Sequence, residues 1–201
     1  MKKCYFEFFY SNDMSKHYFT IKGTTLIRCS EDAVGHIFLP QGITKIDNEA
    51  FRFCKSITSI VIPMGVIEIG ERAFMGCYSL TAIDIPAGVT EISKMTFAFC
   101  SSLTSITLPE GITRIGNYAF KDCDSLCSII IPNSVTIIGD EAFSFCQSLT
   151  SIVIPRNVFE IGDRTFEYCT SLLSVSIPNS ARIIGCDIFW GCTALKSVIE
   201  V

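Results

Sequence analysis

Cysteine is the residue type of this 201-residue chain with the widest choice of chemistry, and eleven cysteines are present. A thiol can form a disulfide, bind zinc as a thiolate or act as a nucleophile. Seven of them recur every 23 positions, namely Cys54, Cys77, Cys100, Cys123, Cys146, Cys169 and Cys192. The other four stand outside this series and are expected to be the more reactive ones: Cys4, Cys29, Cys127 and Cys186.

The regular spacing of the seven cysteines allows two interpretations. If successive repeats stack as parallel strands about 4.8 Å apart, neighbouring cysteines fall within the Cα separation that a disulfide tolerates. One inward thiol per repeat is also what a small buried hydrophobic residue would show, and this is the interpretation we favour. Cys123 and Cys127 form a C-x-x-x-C motif, but no second pair or histidine cluster completes a tetrahedral zinc site. We therefore predict no metal site and no cofactor.

Catalytic groups are scarce in the sequence. The two histidines are His17 and His36, and neither has a nucleophile partner that the sequence identifies. The motifs G-x-x-x-x-G-K-S/T, G-x-G-x-x-G after a strand and H-E-x-x-H are absent from the sequence. The sequence therefore predicts a protein that is not an enzyme, in which the repeat glycines serve turns with positive φ.

Charge and hydrophobicity limit the classes of partner. The net charge of −4 supplies no basic surface for phosphates, so we do not expect nucleic acid to bind. Hydrophobic residues make up 49% of the chain, but apolar runs such as 129–131 are too short to span a membrane. The apolar stretch 4–10 is interrupted by Glu7 and does not resemble a signal peptide. The cellular location is left open between the cytoplasm and the cell surface.

A 23-residue repeat organises the rest of the sequence. All seven prolines follow it, as Pro40, Pro63, Pro86, Pro109, Pro132, Pro155 and Pro178. So do seven phenylalanines, Phe51, Phe74, Phe97, Phe120, Phe143, Phe166 and Phe189. Three places after each repeat cysteine stands Ile57, Leu80, Leu103, Leu126, Leu149, Leu172 or Leu195. Such a repeat cannot bury its apolar side alone, so the copies must stack around a shared core.

One copy of the repeat shows the elements that position these residues. Leu80, Ile83 and Ile85 have the L-x-x-L-x-L spacing of a strand with one inward face, and Pro86 ends that strand because it lacks an N–H. A second short extended piece follows the proline, and a helical or 3₁₀ turn is expected around the repeat phenylalanine. The prediction is a solenoid with a parallel β-sheet, 23-residue repeats and no long helix.

The two ends of the chain depart from the repeat. Residues 1–35 are predicted to form an amino-terminal cap, with a β-hairpin suggested by the alternating residues 17–28. Residues 36–201 form the solenoid, with seven proline-marked repeats and a final strand at 197–199. Glu200 replaces the inward aliphatic residue of earlier repeats at this edge, where the chain could also pair with a second copy.

The pattern I-x-I-P-x-x-V-x-x-I-x-x-x-A-F-x-x-C-x-S-L-x-x-I, over about residues 34–201, resembles the treponemal-type leucine-rich repeat of the BspA-like family. The resemblance implies a curved, right-handed leucine-rich-repeat solenoid with parallel strands on its concave face. It also implies a surface or secreted adhesin that binds a protein, such as a host matrix or cell-surface protein, and it supplies no catalytic residues.

The outward positions of the predicted strands are the candidate binding residues for a protein partner. We call the first series the outer row: Phe38, Val61, Asp84, Thr107, Ile130, Val153, Ser176 and Ile199. The second series, the serine row, contains His36, Ser59, Ala82, Ser105, Ser128, Ser151, Ser174 and Ser197. Apolar members such as Ile130 and Val153 either form a docking patch or simply suit a strand.

An aromatic set near the repeat cysteines is expected to pack between repeats: Phe53, Phe99, Phe145, Tyr168 and Trp190. We predict a protein–protein interaction module that acts as a surface adhesin or recognition protein. The alternative is an intracellular scaffold or regulatory binding protein, which the many unpaired thiols favour.

Overall fold

The computed structural model describes residues 18–200, which form sixteen strands and no α-helix. In chain order these are β1 (Phe19–Lys22), β2 (Thr25–Cys29), β3 (Val34–Phe38), β4 (Lys45–Ile46), β5 (Ser56–Val61), β6 (Glu68–Ile69), β7 (Ala82–Asp84), β8 (Glu91–Ile92), β9 (Ser105–Thr107), β10 (Arg114–Ile115), β11 (Ile137–Ile138), β12 (Ser151–Val153), β13 (Glu160–Ile161), β14 (Ser174–Ile177), β15 (Ile183–Ile184) and β16 (Ser197–Glu200). All pairs except β1 with β2 are parallel, and most pair residues 23 positions apart. The predicted solenoid of 23-residue repeats is confirmed.

The longer strands of the repeats line one side of the solenoid. They form a four-stranded sheet, β3-β5-β7-β9, and a three-stranded sheet, β12-β14-β16. Inward residues such as Ile83 and Ile152 are buried, while outward residues such as Asp84 and Val153 are exposed. Because the register is constant, side chains of equivalent positions form straight rows across this side, which we call the strand face.

The predicted strand at 128–131 does not form, and this interrupts the strand face between β9 and β12. In earlier repeats a threonine precedes the strand, and the Oγ1 of Thr104 donates to the carbonyl of Thr81 at 3.0 Å. Cys127 takes this position in the interrupted repeat, where its sulfur lies 3.8 Å from the carbonyl oxygen of Thr104. Within these fully described segments Ser128–Ile130 makes no backbone hydrogen bond to β9 or β12. The strands after Leu173 and Lys196 do form, so a missing threonine hydroxyl alone does not explain the interruption.

The short strands form a second side of the solenoid, where glycine permits close stacking. Five repeats place a glycine directly after the short strand, at Gly70, Gly116, Gly139, Gly162 and Gly185. A Cβ atom on any of them would lie 2.4 to 2.9 Å from backbone atoms of the preceding coil. Their φ angles are not positive, so the expectation that repeat glycines serve positive-φ turns is wrong for these five.

One repeat has a serine at this glycine position, and the second side is interrupted there. Ser93 carries a real Cβ, so its coil cannot approach the preceding one as closely as a glycine coil does. β6 and β8 accordingly belong to separate sheets, and the hydroxyl of Ser93 lies 3.1 Å from the carbonyl oxygen of Ile69. The interruption opens a cleft of about 550 Å³ between the two strands.

The segment around each repeat phenylalanine is a series of turns that bonds to the next coil. The N–H groups of Met95, Phe97 and Phe99 donate to carbonyls one repeat later at 2.8 to 3.0 Å. The residues between them bond three positions back, as Ala98 does to Met95. Positive φ at Met95 and Phe99 turns alternate peptides toward the neighbouring coil. The predicted helical or 3₁₀ turn is therefore wrong, because these N–H groups are used between repeats.

Stacked phenylalanines and cysteines form the core. The seven repeat phenylalanines lie 5.0 to 5.8 Å apart between ring centroids, with planes within 15° of parallel. Each of the repeat thiols from Cys77 to Cys192 donates to the carbonyl of the phenylalanine 26 positions earlier, at 3.0 to 3.2 Å. The thiols therefore link successive coils as well as fill space.

At the amino-terminal end, β1 and β2 form an antiparallel hairpin and β2 continues in parallel pairing with β4. Phe19 of β1 contacts the first core phenylalanine, Phe51, edge-on at 6.4 Å. His17 and the earlier residues lie outside the described part of the chain. The division into a cap at 1–35 and a solenoid at 36–201, and self-association through β16, stay predictions.

Candidate binding face

The outer row projects from the strand face along its whole length. Phe38, Val61, Asp84, Thr107, Ile130, Val153 and Ile199 are exposed, and Ser176 is half-buried. Two apolar groups stand out within the row. The first contains Phe38 and Val61, which are 56% and 46% exposed, and the second contains Ile130 and Val153, which are 85% and 68% exposed.

Strand pairing brings the first apolar group together, and the 23-residue repeat places the second at equivalent positions of successive coils. Phe38 pairs with Val61 across β3 and β5, so their side chains lie side by side. Ile130 stands in the same row one repeat before Val153, at the interruption of the sheet. Exposed apolar neighbours of this size are uncommon on a soluble surface unless something docks on them.

The serine row runs beside the outer row and consists mainly of small polar side chains. The imidazole Nδ1 of His36 is hydrogen-bonded to the hydroxyl of Ser59, and its ring contacts the Phe38 ring edge-on at 4.5 Å. Beyond this pair the row consists of small side chains, of which Ser105, Ser128 and Ser151 are exposed. The surface therefore offers hydroxyl groups next to the apolar groups without steric obstruction.

Asp84 is the one residue of the two rows that carries a formal charge at neutral pH. It lies between the two apolar groups, and its carboxylate makes no ion pair or hydrogen bond with any described residue. The outer row thus has a single negative charge, which lies between its two apolar groups and next to Thr107.

The cysteines divide into buried and exposed thiols. All repeat cysteines are buried except Cys192, which is half-buried, and none of the described cysteines is in a disulfide. Burial raises the pKa of the Cys100 thiol to about 12, which holds it in the unreactive protonated form. Cys29 is predicted to be reactive, but this last residue of β2 is buried in the core next to Cys54, and a hydrogen bond with that thiol raises the pKa of Cys29. Cys4 lies outside the described residues.

We expect Cys127 and Cys186 to react with a thiol reagent in the folded protein, because both are exposed. Ellman's reagent, which reacts with accessible thiols, measures this. The number of rapidly reacting thiols falls by one in Cys127→Ser and by one in Cys186→Ser. The number of rapidly reacting thiols is unchanged in the control Cys100→Ser, and rapid reaction of Cys100 would contradict the burial of the repeat cysteines.

The aromatic set packs between repeats, as predicted for most of its members. Phe145 and Tyr168 stack with centroids 4.9 Å apart, and Tyr168 contacts Trp190 edge-on at 4.8 Å. The Phe53 ring occupies the space above Gly76, where a Cβ would lie 2.4 Å from it. Gly191 has the same relation to Tyr168, and Trp190, one position earlier than its counterparts, supplies the aromatic ring of that repeat.

The cleft between β6 and β8 is the surface feature that sequence reasoning missed. Its lining includes Glu71, Glu91, Lys94, Arg114 and Asn117, and no cysteine or histidine. The signal that could have located it is Ser93, which breaks the glycine series. Its charges are mixed, and the Ser93 hydroxyl in its lining lies 3.0 Å from the Glu91 carboxylate and 3.1 Å from the Ile69 carbonyl oxygen.

No group of three or more His, Cys, Asp or Glu side chains in residues 18–200 is arranged to hold a metal ion. No helix in the same range has the length and apolar character that crossing a bilayer requires.

The fold and the repeated Leu, Phe and Cys positions define a leucine-rich-repeat solenoid, a scaffold for protein interaction. The profile of the BspA type Leucine rich repeat region matches residues 28–144 and 113–200, with six copies. The chain belongs to this family.

Solved structures of bacterial proteins share the fold. The Treponema pallidum leucine-rich repeat protein TpLRR is 27% identical with a TM-score of 0.63, over 90% of this chain and 89% of that one. A leucine rich cell surface protein from Faecalibacterium prausnitzii is 24% identical with a TM-score of 0.57, over 85% of this chain. The chain spans 62% of the length of that second protein. No match was found among curated proteins.

Proposed function

We propose that this protein binds another protein through the outer row of its strand face and has no catalytic activity. The observation that carries the proposal is the exposure of Ile130 and Val153, at 85% and 68%, at equivalent positions of successive repeats. β-branched side chains do suit strands, but a strand preference does not require two neighbouring apolar side chains to face solvent. Membership of an interaction-scaffold family supports the same interpretation.

Recognition of a host matrix or cell-surface protein, as an adhesin, is the finer form of this proposal. It rests on the resemblance to the BspA-like family. An intracellular scaffold is the second candidate, and the exposed thiols of Cys127 and Cys186 favour it because a reducing compartment keeps such thiols free. The redox state of these two thiols in protein from the native source distinguishes the candidates. Native disulfides exclude the intracellular one.

We expect the double substitution Ile130→Lys with Val153→Lys to abolish partner binding and leave the melting temperature nearly unchanged. Both side chains face solvent, so lysine is tolerated in the folded state, whereas two charges in an apolar contact oppose docking. The measurement is quantitative crosslinking and mass spectrometry in the native cell, together with thermal melting of the purified proteins.

Met64→Lys with Ile67→Lys is the matched control. These apolar residues are 74% and 61% exposed but lie outside the strand face, in the connection between β5 and β6. A partner that is lost with the strand-face variant and retained with this control supports the proposal. Equal crosslinking of all three proteins, each still folded, would show that the outer row is the wrong surface.

A further inference from the structure

The arrangement of charge and apolar surface on the strand face restricts the partner more closely than the proposed function does. We infer that the outer row recognises an extended polypeptide segment with two apolar side chains and one basic side chain between them. The inference rests on the proposed function, because it concerns the same face. Its basis is the position of Asp84 between the two apolar groups of the row.

Charge complementarity selects the basic side chain. Asp84 is exposed, is unpaired among the described residues and is the one formally charged residue of the outer and serine rows. A partner that covered both apolar groups would also cover this carboxylate and remove it from water. Burying an unpaired carboxylate is costly, so a compatible partner brings a lysine or arginine to that point.

The spacing of the row sets the distances between the three contacts. With strands about 4.8 Å apart, the centre of the Phe38 and Val61 group lies about 7 Å from Asp84 along the row. The coils on both sides of the sheet interruption stay paired through β10 and β11, so at the same rise per coil the centre of the Ile130 and Val153 group lies about 12 Å beyond Asp84. A partner must therefore place its basic group about 7 Å from one apolar contact. Its two apolar contacts must lie about 19 Å apart.

An extended chain meets these distances with side chains on one face. At about 3.4 Å per residue, about 7 Å corresponds to two residues and about 19 Å to between five and six. Contacts from the first, third and seventh residues are the closest fit among even spacings, which keep side chains on the same side. An α-helix rises about 1.5 Å per residue, so the basic contact and the second apolar contact would lie about 5 and about 13 residues after the first apolar contact. Each of these two side chains would then point about 140° away from the first one around the helix axis. A helix cannot direct all three side chains to the row.

The serine row supplies what the backbone of an extended segment needs. Ser105, Ser128 and Ser151 expose hydroxyl groups beside the outer row, and a hydroxyl can both donate and accept. The segment lies along the solenoid axis, across the strands. The spacing does not set its direction, so the pattern is apolar-x-basic-x-x-x-apolar or its reverse.

Fluorescence anisotropy with labelled heptapeptides tests the inference. The probe peptides have leucine at the first and seventh positions, arginine at the third or the fifth, and serine elsewhere. The control peptide has the same composition with arginine at the fourth position, which points to the opposite side of an extended chain. We expect one probe to bind at least about tenfold more tightly than the control peptide, and Asp84→Asn to remove that preference.

The outcomes separate the inference from the proposed function. Equal binding of probe and control peptides, lost with Ile130→Lys and Val153→Lys, overturns the pattern but leaves the docking face in place. Binding that neither this double variant nor Asp84→Asn alters contradicts the docking face for peptides and the inference with it. No measurable binding up to about 1 mM also overturns the inference, while the crosslinking experiment decides the proposed function independently.

Discussion

Replacing Phe120 with alanine lowers the free energy of unfolding by about 3 to 5 kcal/mol, since it removes a large fully buried ring. The ring is stacked between Phe97 and Phe143, with centroids 5.5 and 5.3 Å away. The cavity therefore opens in the middle of the phenylalanine column, where both neighbouring coils lose packing contacts. Neighbouring rings cannot close it without shifting coils whose backbones are hydrogen-bonded to one another.

Urea unfolding followed by circular dichroism measures this loss. Phe38→Ala is the control, because it removes the same ring from the exposed strand face and is expected to change stability by less than about 1 kcal/mol. Similar losses for the two variants would mean that the phenylalanine column is not the source of stability.

Gly162→Ala is expected to destabilise the fold by about 3 kcal/mol, the upper part of the range for overpacking. A Cβ at this position would lie 2.4 Å from the backbone nitrogen of Asp140 and 2.6 Å from the carbonyl carbon of Gly139. Backbone atoms cannot turn aside as a flexible side chain can, so the two coils must separate. Alanine otherwise favours folding by restricting the unfolded chain, which makes the direction of the effect informative.

Two further variants control this experiment. At Gly65 a Cβ would be 3.6 Å from the nearest atom outside its chain neighbours, an ordinary contact, so Gly65→Ala should be nearly neutral. Ser93→Gly makes the opposite change and should allow the β6 and β8 coils to approach, with hydrogen bonds between them each contributing about 1 kcal/mol. Destabilisation by Gly65→Ala as large as that by Gly162→Ala would refute the close-approach explanation.

The candidate face was predictable to the extent that it depends on strand alternation. Ile83 and Asp84 are neighbours in sequence, and the period of two sends one inward and the other outward. The 23-residue pattern therefore predicted that Ile83 is buried and Asp84 exposed, and it also predicted the outer row. Whether Asp84 meets a positive charge from another part of the chain could not be read from that pattern, because the pairing depends on distances between coils.

Cys29 and Cys127 show why the exceptions were harder to predict. Both lie outside the 23-residue series, which suggested that both are reactive. The hairpin buries Cys29 against the first core residues, whereas Cys127 occupies an exposed threonine position and is accessible. Deviation from a repeat indicates that the environment differs, but the direction of the difference depends on what covers the residue.

The sequence by itself determined the coil, because a strict period of 23 residues with one proline, one phenylalanine and one cysteine leaves no other way to bury the apolar side chains. Only the tertiary structure decided how closely successive coils approach and where the two sheets are interrupted. Those features depend on local contacts between successive coils that the repeat pattern does not specify, such as the contact of the Ser93 hydroxyl with the Ile69 carbonyl oxygen at 3.1 Å. A repeat pattern specifies which residues meet, and atomic size specifies whether their backbones can also bond.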